Sequence, residues 1–80
     1  MYEIVFSSHA QKDKKLLKQA GLEKRTRVLL AVIAENPFQN PPRYEKLVGD
    51  LAGFYSRRIN AQHRLVYQVY QEEHVIKILT

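Results

Sequence analysis

Apolar and polar positions alternate over Tyr2–Phe6, in a stretch rich in strand formers, and this period of two predicts an opening β-strand. From Ser8 the period becomes helical. Ser8-His9-Ala10-Gln11 has capping-box spacing, in which a serine hydroxyl satisfies a first-turn amide and the glutamine reaches back. Ala10, Leu16, Leu17 and Ala20 form the apolar stripe of this helix, surrounded by Lys12, Lys14, Lys15 and Lys18. Gly21 stands where a left-handed residue closes a helix. A second helix is predicted from Leu22 to Glu35, with Leu22, Leu29, Val32 and Ile33 at helical spacing. Asn36-Pro37 stops it, because a proline ring disfavours helical backbone in the residue before it.

Residues 36–50 hold three prolines and a glycine and read as mostly irregular, with Arg43-Tyr44-Glu45-Lys46-Leu47 as a charged and aromatic island. Three strands follow, about Phe54–Ile59, Gln62–Tyr70 and His74–Leu79, joined by connections of hairpin length. The order β-α-α-β-β-β predicts an α+β fold: an antiparallel sheet packed on one face by a two-helix hairpin, in a single domain spanning residues 1–80.

Composition narrows the options. With 80 residues the chain supports one modest core. It has no cysteine, which excludes a disulfide framework or thiolate metal site and suits a reducing compartment. The histidines at 9, 63 and 74 lack metal-ligand spacing, and no cofactor or metal is expected. No apolar run reaches the ~20 residues of a membrane span, so the expectation is a cytoplasmic protein without a membrane partner. A net charge of +5 raises the odds of a nucleic-acid or acidic-protein partner, bound in a salt-sensitive manner. A solvated basic surface would give the same composition.

Alternation places His63, Leu65, Tyr67 and Val69 on one face of the long strand and Arg64, Val66, Gln68 and Tyr70 on the other. The first set is the more apolar and is expected to face the helices. Ile59 as a core residue turns Arg58 toward Arg64, so two guanidiniums share the open face, where each could fork onto phosphate oxygens. Arg57 would then point the other way, snorkelling at the sheet edge. Both open-face arginines could equally be solvent-facing residues paired with Glu45, Glu72 or Glu73. RNA cleavage needs no metal when the 2′-hydroxyl is the nucleophile: it needs a base, cations around the phosphorus and an acid for the departing 5′-oxygen. Glu45, a lone carboxylate between Arg43 and Lys46, is the candidate base, though it could also be an ordinary loop glutamate. His63 falls on the face opposite Arg64 and reads as a structural histidine at a strand end. No convincing acid emerges.

Gly53-Phe54-Tyr55-Ser56-Arg57-Arg58-Ile59 and His63-Arg64-Leu65-Val66-Tyr67 resemble, at the same spacing, the signature of the YoeB-type toxins (Txe/YoeB family) of the RelE/ParE superfamily. The likeness spans the chain in element order, with Tyr55 where a tryptophan is common. It implies a RelE-like fold and a metal-independent endoribonuclease, the toxin of a type II toxin–antitoxin system, which cuts mRNA in the ribosomal A site and inhibits translation. By position, Glu45 matches the family's general base and Arg64 its transition-state arginine. Arg58 matches an RNA-contacting residue, and Arg57, Lys46 and Arg43 are the further RNA-binding candidates. The implied partners are mRNA, the ribosome and a YefM/Axe-like antitoxin, and a homodimer stays open. Members typically carry a His-Tyr pair just beyond the last strand, the histidine as acid; here that strand runs into Ile76-Lys77-Ile78-Leu79-Thr80. A lysine three positions after the glutamate in some members is Val48.

The expectation is therefore a chain that folds and binds but cleaves poorly. The rival is a non-catalytic module on the same scaffold, either a gyrase poison of ParE type or a toxin fragment that binds its antitoxin. Translation arrest against DNA damage on expression separates the two.

Overall fold

The computed structural model describes residues 1–80, apart from the side chain of Leu51. Strand β1 (Glu3–Phe6) leads into helices α1 (Ser8–Gln19) and α2 (Glu23–Glu35), followed by β2 (Tyr44–Lys46), a single tight helical turn (Gly49–Leu51), β3 (Phe54–Arg58), β4 (Arg64–Tyr70) and β5 (Val75–Ile78). The α+β class and the helical hairpin are as the pattern predicts.

The sheet differs from expectation in two ways. It has five strands in the order β1-β5-β4-β3-β2, the extra one being β2, which lies inside the segment read as irregular. It is also mixed and not purely antiparallel, since β1 runs parallel to β5. Helix α2 ends beside the start of β1, where Tyr2 N donates to Ala34 O, and residues 36–43 carry the chain across to begin β2, which runs against β1; three successive reversals leave β5 running with it.

The first helix is capped by Ser7 and not Ser8: Ser7 keeps extended backbone, and its Oγ accepts from Ala10 N at 3.1 Å. Ser7 N also donates to Ile78 O, so sheet pairing holds this residue extended and moves the cap one position forward. Gly21 ends α1 at φ 75°, with Leu22 N donating to Leu17 O in the expected left-handed closure.

The core is narrower than the stripes suggest. Ala10 is buried and Leu17 packs beside it, while Leu16 and Ala20 are exposed. The second helix contributes Thr26, Leu29 and Ile33, with Leu22 buried at its N-cap. From the sheet come Leu65, Tyr67, Ile76 and Ile78, confirming that this face of β4 meets the helices. Each fully buried Ile or Leu contributes about 1.5–3 kcal/mol from apolar area removed from water. The opposite face of β2–β3–β4 is left uncovered.

Candidate active site

Strand register assembles a polar cleft on that uncovered face. Glu45 lies opposite Ser56, Ser56 opposite Val66, and Arg58 opposite Arg64. Because side chains alternate along a strand, Glu45, Ser56, Arg58 and Arg64 all project to one side. With Arg43, which precedes β2, they line a shallow cleft of about 280 Å³. Arg64 Nη1 donates to Glu45 Oε2 at 3.2 Å and reaches Ser56 Oγ at 3.5 Å. The pair is half-exposed, with side chains 43% and 48% accessible, so it contributes at most about 1 kcal/mol to stability and is open to competition from a phosphate. Ser56 is buried and forms the floor beneath the pair. Its place on the same face as Arg58 was legible from alternation, but nothing in the sequence singled it out.

Four of the six candidate residues thus converge: Glu45, Arg64, Arg58 and Arg43. Two do not. Lys46 pairs with Tyr55 in register and so projects to the other side of the sheet from Glu45. Arg57 is not a snorkelling edge residue and does not line the cleft. It is 1% exposed, and its guanidinium is engaged by Tyr67 Oη and the backbone oxygens of Pro37, Gln39 and Pro42.

No imidazole borders the cleft among the described residues. His63 lies toward the helix side, its ring Nδ1 3.1 Å from Asn60 Oδ1, as a structural histidine at a strand end. His9 pairs with Asp13 on α1, and His74 stacks on Tyr2 at 4.6 Å near the far edge of the sheet. Among the described residues no three His, Asp or Glu side chains gather as a metal site would require. No helix is long and apolar enough to cross a membrane.

A larger groove of about 660 Å³ opens between the helical hairpin and β4. Its lining is mainly apolar, with Leu17, Leu30, Leu65 and Ile78, and Lys14 and Lys18 bring charge to it. It is roomier than the cleft but contains no carboxylate–guanidinium pair facing a common point beyond Glu23–Arg27 on a single helix. The facing carboxylate–guanidinium pair therefore lies in the smaller concavity.

A profile described as the YoeB-like toxin of bacterial type II toxin–antitoxin systems matches residues 5–80. A YoeB toxin from Streptomyces coelicolor is 40% identical over 75 residues, covering 91% of this chain and 89% of that protein. One from Synechocystis sp. is 46% identical over 59 residues, covering 74% of this chain but only 62% of that relative's length. Among solved structures, the YoeB–YefM heterotetramer from Staphylococcus aureus contains a chain that superposes with TM-score 0.83 at 38% identity, covering 100% of this chain and 93% of that one. With the profile running through both helices and every strand of the cleft, the chain belongs to the YoeB-like toxin family.

Proposed function

We propose that this chain is the toxin of a toxin–antitoxin pair and acts as a metal-independent endoribonuclease on mRNA in the ribosomal A site, Glu45 serving as base and Arg64 as the cation at the phosphorus. One observation carries the reading: a carboxylate and a guanidinium 3.2 Å apart on the open face of a sheet, flanked by Arg43 and Arg58. Glu45 takes the proton of the ribose 2′-hydroxyl, and the 2′-oxygen attacks the adjacent phosphorus. Arg64 then leaves Glu45 for the non-bridging oxygens, where charge builds in the pentavalent state. The P–O5′ bond breaks, giving a 2′,3′-cyclic phosphate and a 5′-hydroxyl. Among the residues lining the cleft none is placed to protonate the 5′-oxygen, which takes its proton from water unless a general acid is brought there. A positioned general acid is worth about 10²–10⁴-fold, so cleavage by these residues alone is slow.

The dependence on the ribosome rests on family membership, as does an antitoxin of the YefM type; the S. aureus relative was solved in complex with YefM. Acidic side chains of such a partner would compete for Arg43, Arg58 and Arg64. The same open-face arginines, Arg43, Arg58 and Arg64, would also serve a second reading, a binding-only member of the fold.

Primer extension on ribosomes programmed with a short message separates the readings. The chain is compared with its Glu45→Gln variant and with a form carrying His-Tyr after Thr80. Because Val66 N donates to Thr80 O, an appended pair runs on along β4 toward Arg64. Weak cuts that strengthen about 10²-fold or more with the tail, and fall about 10²-fold or more with Glu45→Gln, are expected. Cuts indifferent to Glu45→Gln, or no cuts from any folded form, would overturn the nuclease reading.

A further inference from the structure

We infer that Arg57 is a positioning residue for cleavage: a buried guanidinium that pins residues 37–42 against β3 and β4 and so fixes where β2 presents Glu45. The inference rests on Glu45 being the base.

Arg57 carries a charge into the interior without a carboxylate partner. Among the described residues the ion pairs are His9–Asp13, Arg27–Glu23 and Arg64–Glu45, none of which involves it. Its partners are neutral oxygens. Nε donates to Tyr67 Oη at 3.1 Å, Nη1 to Pro42 O at 2.6 Å, and Nη2 to Pro37 O at 3.0 Å and Gln39 O at 2.9 Å. Tyr67 Oη in turn donates to Pro37 O at 2.9 Å. Burying a cation is costly unless its donors are met, and a leucine-sized side chain would fill a core position without that cost. The geometry matches a fork used to gather the carbonyls of Pro37, Gln39 and Pro42.

The segment being gathered explains the need. Three of its residues are prolines, which donate no backbone hydrogen bond, so it cannot pair as a strand. Its internal ties are few: Gln39 N to Asn36 O, Phe38 N to Asn36 Oδ1 and Gln39 Nε2 to Pro41 O. Pro42, held by Arg57, is followed by Arg43 and then by β2, which is three residues long, lies at the sheet edge and pairs only with β3. A strand that short has little to set its register by itself. The Tyr44 ring also packs over the same guanidinium, 5.1 Å from Cζ to ring centroid. Around these contacts Phe38, Tyr44 and Tyr55 meet one another with centroids 5.3–6.2 Å apart, closing a small aromatic cluster over the fork. Arg57 therefore grips both the loop before β2 and the first residue of β2, on the face behind Glu45.

A base displaced by about 1 Å loses up to ~10²-fold in rate, which sets the expected size of the effect. The test uses Arg57→Lys, which keeps the charge but replaces the fork with a single ammonium. Amide exchange of the free variant is expected to accelerate at least about tenfold over Tyr44–Leu47 and stay unchanged in β4 and β5. On programmed ribosomes its single-turnover rate is expected to fall roughly 10–10²-fold with half-saturation unchanged. In a Glu45→Gln background it is expected to cost no more, because Arg57 acts through Glu45. If Arg57→Lys does not fold, Tyr67→Phe, which removes one oxygen of the set, is expected to loosen the same amides. Exchange that rises uniformly across the sheet, unaltered exchange in β2, or a rate loss that adds in full to that of Glu45→Gln would overturn the proposal. If the parent chain makes no cuts, the nuclease reading falls and the catalytic role with it, whereas selective exchange in β2 still decides whether Arg57 sets that strand.

Discussion

Tyr67 shows how one side chain can be held in a single protonation state by its surroundings. Burial raises its phenol above the ordinary value of 10.0, and the nearby Arg57 guanidinium opposes this only in part. The folded protein therefore binds this proton more tightly than the unfolded chain does. The resulting stability is complete below pH 10.0 and is lost as pH climbs through the raised folded value, so it leaves neutral behaviour flat and appears only on the alkaline side. Tyr67 is expected to ionise above the ordinary tyrosine range, together with the loss of structure, in an ultraviolet tyrosinate titration. Tyr67→Phe should make the alkaline loss of stability shallower. At neutral pH it should cost about 1–3 kcal/mol in denaturant melts, because Arg57 Nε and Pro37 O each lose a partner. A variant with wild-type alkaline behaviour would show that another group governs it.

At the scale of elements, the β3–β4 hairpin sets the spacing of the two open-face arginines, and Asn60 sets the hairpin. Its Oδ1 accepts from Gln62 N at 2.9 Å and His63 N at 2.7 Å, while Ile59 N donates to His63 O at 2.8 Å. Asn60→Ala leaves two turn amides without that acceptor and is expected to cost roughly 1–2 kcal/mol, a fall in melting temperature of several degrees. Unchanged melting would show that the turn closes without this side chain. Much of this region was legible in the sequence: alternation over Gln62–Tyr70 placed Leu65 and Tyr67 inward and Arg64 outward, and brought Arg58 beside it. Strand β2 was not legible, because Tyr44-Glu45-Lys46 is too short and too charged to show a period, and its extended state comes from pairing with β3. Arg57 was misread for a related reason. Its acceptors are carbonyls 15 to 20 residues away, and no local pattern records them.

For the whole molecule, the sheet divides its labour by face and by edge. One face is covered by the helices, the other is left to the cleft, and the cleft occupies the β2 side while β1 and β5 close the far edge. Strands β2 to β5 follow one another as neighbours, so their contacts are local in sequence. Ser7 Oγ and Leu79 O, at the closing edge, meet across 72 residues. Joining β1 to β5 bears the largest loop-closure entropy in the molecule and can be repaid only after the β2–β5 meander exists. Loop closure therefore predicts that the cleft strands assemble before the β1 edge closes. Ile4→Val in β1 should mainly speed unfolding, whereas Val66→Ala in β4 should slow refolding, as chevron kinetics would reveal. The order of assembly implies that fraying of β1 leaves a folded meander with the cleft still in place, so the stability of the molecule and the integrity of its cleft can be lost separately.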